Sequence, residues 1–185
     1  MRRAVIVSLV ISLASTAYAL PPGDSRGLRE GANHHLGDDS FVVRFGRVPI
    51  DGQDSEALRM KTHLSYVRAQ LASRPATRPE LATVRARMLD YLDDYIAKGS
   101  TPINTRLPWR SPVFIDDSGT ICAVGYLIER SAGRAVAEQI AAAHRHAFLE
   151  DIAAAMPNVR TWIDASGFSL DEMATKNRHR GLAAA

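Results

Sequence analysis

One cysteine and one histidine are the residues of this chain best suited to nucleophilic chemistry. Cys122 is the only cysteine, and it directly follows a polar turn sequence. If a helix begins at Thr120, its positive end lies near Cys122 and lowers the pKa of the thiol. A thiol nucleophile also needs a base. His144 could supply it from a downstream helix, with Asp151 or Asp164 orienting the imidazole, which predicts a cysteine-dependent hydrolase or acyl-transfer enzyme.

The same cysteine also fits a structural interpretation. Its neighbours Ile121, Ala123 and Val124 are apolar, a setting in which cysteine acts as a small buried hydrophobe. Burial in apolar surroundings raises the pKa of a thiol and makes it inert. On this interpretation serine at position 122 should destabilise the fold by about 1–3 kcal/mol, because a buried hydroxyl needs a hydrogen-bond partner. Alanine should cost less.

Asp116 is a third candidate catalytic residue, on the strength of a resemblance. It ends the apolar run Val113–Ile115, and residues 113–120 resemble the first motif of haloacid-dehalogenase-type phosphotransferases, which would make Asp116 the nucleophile. Ser118 stands where most phosphatases of that family have a second acid. The D-S-G-T string at 117–120 is also similar to that of aspartic proteases, which need two carboxylates sharing a proton. The mostly helical sequence lacks both scaffolds, so a hairpin turn with polar tips is the simpler interpretation.

No spacing of residues predicts a metal or a cofactor. His144 and His146 face apart on a helix, His34 and His35 lie in an N-terminal arm, and Glu150 pairs with His146 on the surface. Neither C-x-x-C nor H-E-x-x-H occurs. No basic run with interleaved aromatic residues occurs either, so we expect no nucleic-acid partner.

The N-terminus has the organisation of a secretory signal peptide. Arg2 and Arg3 precede the apolar segment Ala4–Thr16, and Ala17-Tyr18-Ala19 is a cleavage site, which predicts a signal peptide over residues 1–19. Without those two arginines, Lys+Arg falls from 23 to 21 against 20 acidic residues, and the formal charge from +3 to +1. We therefore expect an exported protein, periplasmic or extracellular, with no transmembrane segment after signal removal and no internal disulfide.

The remaining sequence predicts a mainly α-helical bundle in a single domain. We expect an extended arm over residues 20–53 with a strand at 41–45, a helical domain over 54–176 and a flexible tail over 177–185. Helices are predicted at about 54–73, 77–98, 125–132, 134–155, 157–165 and 169–176. Capping boxes at Thr77/Glu80 and Ser169/Glu172 begin two of them. Residues 112–124 form either a short β-hairpin or a turn leading into a helix capped by Thr120.

Apolar residues spaced three or four apart predict which face of each long helix is buried. The first helix has the stripe Met60, Leu64, Val67 and Leu71. The second has Leu81, Val84, Met88, Tyr91 and Tyr95. The helix over 134–155 has Val136, Ile140, His144, Phe148 and Ile152, which places His144 on the buried side.

The central stretch Arg110–Ile128, together with residues 91–104 before it and 162–173 after it, also resembles a family of uncharacterised exported bacterial proteins. Their shared string is close to R-[ST]-P-V-F-I-D-x-x-G-x-x-C-A-V-G-Y-L, and residues 167–172 match the usual ending of the family, although an extra aromatic residue and proline at that end are missing here. The resemblance implies export but no activity. The leading hypothesis is a non-catalytic envelope or secreted protein that binds an unknown protein or envelope ligand. The alternative is the enzyme built on Cys122 and His144.

Overall fold

The computed structural model describes residues 32, 36–50, 52–107 and 111–174. In this part of the chain the helices are α1 Asp39–Phe45, α2 Glu56–Ala72, α3 Ala82–Lys98, α4 Ala123–Ala132, α5 Arg134–His144, α6 Leu149–Ala155, α7 Pro157–Ala165 and α8 Leu170–Met173, with a 3₁₀ turn at Pro79–Leu81. The mainly α-helical bundle is therefore confirmed. None of these helices is both long and apolar enough to span a bilayer. The predicted signal peptide, the tail over 177–185, and His34 and His35 lie outside the described residues.

Helix α4 forms the centre of the bundle and packs against both α3 and α5. Four consecutive residues, 125–128, are buried. Gly125 brings α4 close to its own entry loop, because a Cβ atom at this position would lie 2.6 Å from Cγ1 of Ile121 and 3.1 Å from the ring of Phe114. The central apolar stretch predicted from the sequence is thus the core of the fold.

A buried ion pair ties the C-terminal helices to α3. The guanidinium of Arg85 donates to both carboxylate oxygens of Glu172, at 2.9 and 3.0 Å, and to the carbonyls of Gly167 and Leu71. It also stacks on the ring of Phe168, 4.2 Å from its centroid. Ser169 and Glu172 form the predicted capping box at the start of α8. Glu172 therefore serves both as a helix cap and as the partner of Arg85.

The predicted strand at 41–45 is wrong, because these residues lie in α1. The alternation of aromatic and β-branched residues favours a strand locally, but tertiary contacts decide otherwise. As a helix, the segment buries Phe41 against α2 and ends at Gly46, which has the left-handed conformation (φ 70°). Asp38, just before α1, pairs with Arg59 of α2 at 2.6 Å.

The buried faces of α2 and α3 are rotated relative to the predicted stripes. On α2, Arg59 and His63 are buried instead of Met60 and Leu64, and both are held by residues around α1. On α3, Arg85 and Leu92 replace Val84 and Tyr91. Apolar spacing does not reveal a buried arginine, because burial of a charge depends on a distant partner.

The capping box predicted at Thr77 and Glu80 does not form. The chain passes through the 3₁₀ turn, and α3 begins at Ala82 without a side-chain cap. The N–H of Thr77 instead donates to the carbonyl of Gly167. Thr77 is thus held by the C-terminal segment rather than by its own helix.

The helix predicted over 134–155 is interrupted between α5 and α6. The carbonyl of Arg145 accepts from the N–H of Phe114, and Nδ1–H of His146 donates to the carbonyl of Pro112 at 3.0 Å. The chain turns at residues 145–146, and these two hydrogen bonds join the turn to residues 112–114. Phe148 is consequently 38% exposed instead of buried.

Candidate functional site

The predicted hairpin is reduced to a single antiparallel bridge between Ile115 and Ile121. The N–H of Asp116 donates to the carbonyl of Thr120, and the N–H of Cys122 to that of Phe114. Cys122, and not Thr120, is the N-cap of α4. Both sequence alternatives are thus partly right, since a tight turn is followed at once by a helix.

The carboxylate of Asp116 holds the turn together. It is 8% exposed. One oxygen accepts from the N–H groups of Ser118 and Thr120 and from the Ser118 hydroxyl, and the other accepts from the N–H of Ile103, all at 2.7–3.0 Å. Burial raises the pKa of Asp116, but these hydrogen bonds together outweigh it and lower the pKa below the usual value. Both carboxylate oxygens thus accept hydrogen bonds from the chain itself, as expected of a residue that stabilises the turn.

The side chain of Cys122, like that of Asp116, accepts a hydrogen bond from the backbone. Its Sγ accepts a hydrogen bond from the N–H of Gly125 at 3.3 Å, in the position of a helix cap. The residue is partly exposed, yet burial of the thiol raises its pKa to about 11, more than the three nearby N–H groups lower it. At neutral pH the sulfur is therefore a protonated thiol and not a thiolate.

His144 is the candidate general base for Cys122. It is the last residue of α5 and is partly buried. Among the described residues, no hydrogen bond joins it to Cys122. Neither acid proposed to orient it forms a hydrogen bond with it, since Asp151 is exposed on α6 and Asp164 pairs with Arg160 on α7.

The nearby His146 is hydrogen-bonded to the central stretch. His146, rather than His144, contacts the central segment through Pro112, and its Nε2 is buried with no hydrogen-bond partner among the described residues. The sequence prediction that His146 lies on the surface beside Glu150 is wrong, because the break in the helix turns its ring inward.

Asp117 is the exposed tip of the turn and is surrounded by cations. Arg106 and Arg145 both donate to it, as does the hydroxyl of Thr105 at 2.9 Å. Arg106 contributes most to holding the pKa of Asp117 well below its usual range, followed by Thr105 and Arg145. This cluster fixes the loop over 101–107 onto the turn.

A groove at the C-terminal end of α4 is a candidate site for a ligand. It has a volume of about 320 Å³ and lies between α3, the end of α4, and α7. Apolar and aromatic side chains form much of it, and two arginines contribute charge. The lining residues are Val84, Arg87, Met88, Tyr91, Arg130, Ser131, Trp162, Ala165 and Ser166.

Hydrogen bonds hold the aromatic wall of the groove in place. The indole N–H of Trp162 donates to Oγ of Ser131 at 2.9 Å, and that hydroxyl donates to the carbonyl of Leu127 at 2.7 Å. The guanidinium of Arg130 lies 5.0 Å from the ring centroid of Tyr91. Arg87 and Arg130 are exposed and form no ion pair with any residue in the described part of the chain. The groove thus combines a hydrogen-bonded aromatic wall with two positive charges.

The apolar spacing of α3 contains a sign of the groove. It predicts Val84 and Tyr91 in the core, but α3 has more apolar residues than its core face can bury. The surplus residues lie half-buried beside Met88 and line the groove. An apolar arc that is wider than one packed face can indicate a binding surface.

The described residues contain no group of three or more His, Cys, Asp or Glu side chains that could hold a metal ion. Comparisons of the chain with protein-family models, curated proteins and solved structures find no match. The resemblance of residues 110–128 to a family of exported proteins therefore stays a prediction.

Proposed function

We propose that this chain is a non-catalytic exported protein that binds a partner through the groove between α3, α4 and α7. The observation that carries the proposal is the hydrogen bond from Gly125 to Sγ of Cys122. Through this hydrogen bond the sulfur of Cys122, the only thiol in the chain, caps the N-terminus of α4. Asp116 is likewise engaged by four donors, and we therefore place the binding function at the groove.

The composition of the groove supports binding rather than chemistry. It offers Trp162 and Tyr91 as flat contact surfaces and Arg87 and Arg130 as donors, a combination enriched at energetically important binding sites. None of its lining residues is a cysteine, a histidine or a carboxylate. General acid–base or nucleophilic catalysis at neutral pH mostly uses one of those groups.

A fragment titration followed by NMR tests the proposal. The fragments are divided evenly among anionic, neutral and cationic compounds, and the readout is the indole N–H resonance of Trp162. A Trp109→Phe variant assigns that resonance, because the chain has two tryptophans. We expect several fragments to shift the Trp162 resonance reversibly without modifying Cys122. The proposal fails if no fragment of any charge shifts it, or if binders act only by covalent attachment to Cys122.

A further inference from the structure

We propose that the groove binds a small organic anion, namely a carboxylate carried on an aromatic or branched apolar body. This inference rests on the proposed binding function and specifies its ligand. A volume of about 320 Å³ is at the small end of ligand sites, which span roughly 300–1,000 Å³. The groove thus suits a compact molecule.

The floor and walls select an apolar body. Met88 is buried beneath the groove, and Val84 and Tyr91 are half-buried along its α3 side. The indole N–H of Trp162 is already committed to Ser131. Trp162 therefore presents its ring to a ligand and not its donor, and a ring or branched chain packed against it gains apolar contact.

The two arginines of the groove favour an anionic ligand. A guanidinium presents two parallel N–H donors that match a carboxylate. Arg130 is positioned over the ring of Tyr91, 5.0 Å from its centroid, and contacts no acid among the described residues. Arg87 contributes a second cation, likewise without an acidic partner there. Two guanidinium groups at one groove, neither paired with an acid among the described residues, favour a negatively charged ligand and repel a cationic one.

Two acids near the groove are held by other arginines, and the exposed Asp90, three residues after Arg87, forms no ion pair with it. Glu129 precedes Arg130 in the chain but pairs with Arg134 at 2.9 Å. Asp164 precedes the lining residue Ala165 but pairs with Arg160 at 3.3 Å. The positive charge of the groove is therefore available to a ligand.

Three probes of the same size and differing charge test the inference: phenylacetate, phenylacetamide and 2-phenylethylamine. Each is titrated against the whole chain while the Trp162 indole resonance is followed by NMR. We expect phenylacetate to bind at least about tenfold more tightly than the amide, because charge-assisted hydrogen bonds are the stronger kind. The amine should bind more weakly still.

Arginine variants assign the preference to the groove. Arg130→Gln and Arg87→Gln should each remove most of the preference for phenylacetate over the amide while leaving amide binding unchanged. Arg44→Gln is the matched control, because Arg44 is an exposed arginine of α1 that does not line the groove. It should leave the preference intact. Preservation of the preference in both groove variants would overturn the assignment.

The outcomes separate this inference from the proposed function. Equal binding of acid and amide, or tighter binding of the amine, overturns the anion inference but leaves a binding groove. Binding of an N-acetylated peptide ending in phenylalanine, without binding of phenylacetate, shows a peptide partner and overturns the small-molecule class. The inference is also overturned if none of the three probes shifts the Trp162 resonance. The proposed function fails if no member of the wider fragment set shifts the Trp162 resonance, or if its binders act only by covalent attachment to Cys122.

Discussion

The Sγ atom of Cys122 accepts a hydrogen bond from the backbone N–H of Gly125, 3.3 Å away. The first N–H groups of a helix have no partner within it, and an N-cap side chain satisfies one of them. Serine, threonine, aspartate and asparagine usually take this role. In this chain a thiol takes it at the start of the central helix.

The cap predicts an order of stability for variants at position 122. Cys122→Ser should lie close to the wild type, because a hydroxyl accepts the same hydrogen bond and serine is a preferred N-cap. Cys122→Ala should cost about 1 kcal/mol, since loss of an N-cap side chain typically costs that much. This reverses the order expected from the apolar neighbours alone. Urea denaturation of the three proteins measures it, and a serine variant less stable than the alanine variant would contradict the capping role.

Close packing at Gly125 predicts that Gly125→Ala destabilises the protein. Alanine has the higher helix propensity, by about 1 kcal/mol. However, its Cβ would lie 2.6 Å from Cγ1 of Ile121, and overpacking typically costs about 1–3 kcal/mol. We expect a lower midpoint of thermal unfolding.

A double-mutant cycle isolates the cause at Gly125. Adding Ile121→Ala removes the side chain in the way, so the two substitutions together should cost less than the sum of their separate effects. Strict additivity would show that the contact between positions 121 and 125 is not responsible.

The hydrogen bonds to Asp116 predict a stability that depends on pH. Its pKa in the folded protein is lowered, so its contribution is fully present above the unfolded value of about 3.9 and is lost as the pH falls through the folded value. Asp116→Asn should cost about 1–3 kcal/mol at pH 7, and the difference from the wild type should shrink below about pH 4. Urea denaturation at several pH values measures this. Asp94→Asn, at an exposed position of α3, should show little difference at any pH.

The buried pair of Arg85 and Glu172 predicts a large effect of removing either partner. Arg85→Met leaves a carboxylate whose side chain is only 10% exposed, and breaking a buried ion pair typically costs about 3–5 kcal/mol. Arg68→Met at the exposed pair with Asp93 should cost about 0–1 kcal/mol. Chemical denaturation compares the two. Equal costs at the buried and exposed pairs would be inconsistent with the linking role of Arg85.

Local signals predicted much of the helical architecture but not the contacts between distant segments. The limits of α7, the stop at Gly99 and the capping box at Ser169 depend on neighbouring residues, and the structure confirms all three. The predictions of a strand at 41–45 and of an unbroken helix over 134–155 are wrong, because contacts with distant residues determine the structure of both segments. Arg59 holds the start of α1, and Phe114 donates to the carbonyl of Arg145 at the break.

The site was harder to predict than the fold. Cys122 and Asp116 attract attention by residue type, but type does not reveal that backbone N–H groups already engage the sulfur and the carboxylate. The groove depends on how α3 and α7 pack beside the end of α4, and its residues are spread from position 84 to position 166. No sequence motif connects positions so far apart.

The reactivity of Cys122 in the folded protein tests the non-catalytic account most directly. The rate of its modification by iodoacetamide is measured from pH 6 to pH 10 for the wild type and for His144→Ala, with urea-unfolded protein as the reference. Since burial raises the pKa of the thiol to about 11, we expect slow modification at pH 7. The rate should rise up to the end of the pH range without a plateau, and the histidine variant should behave identically. Fast modification at pH 7 that His144→Ala slows would contradict the account and establish the thiol as an activated nucleophile.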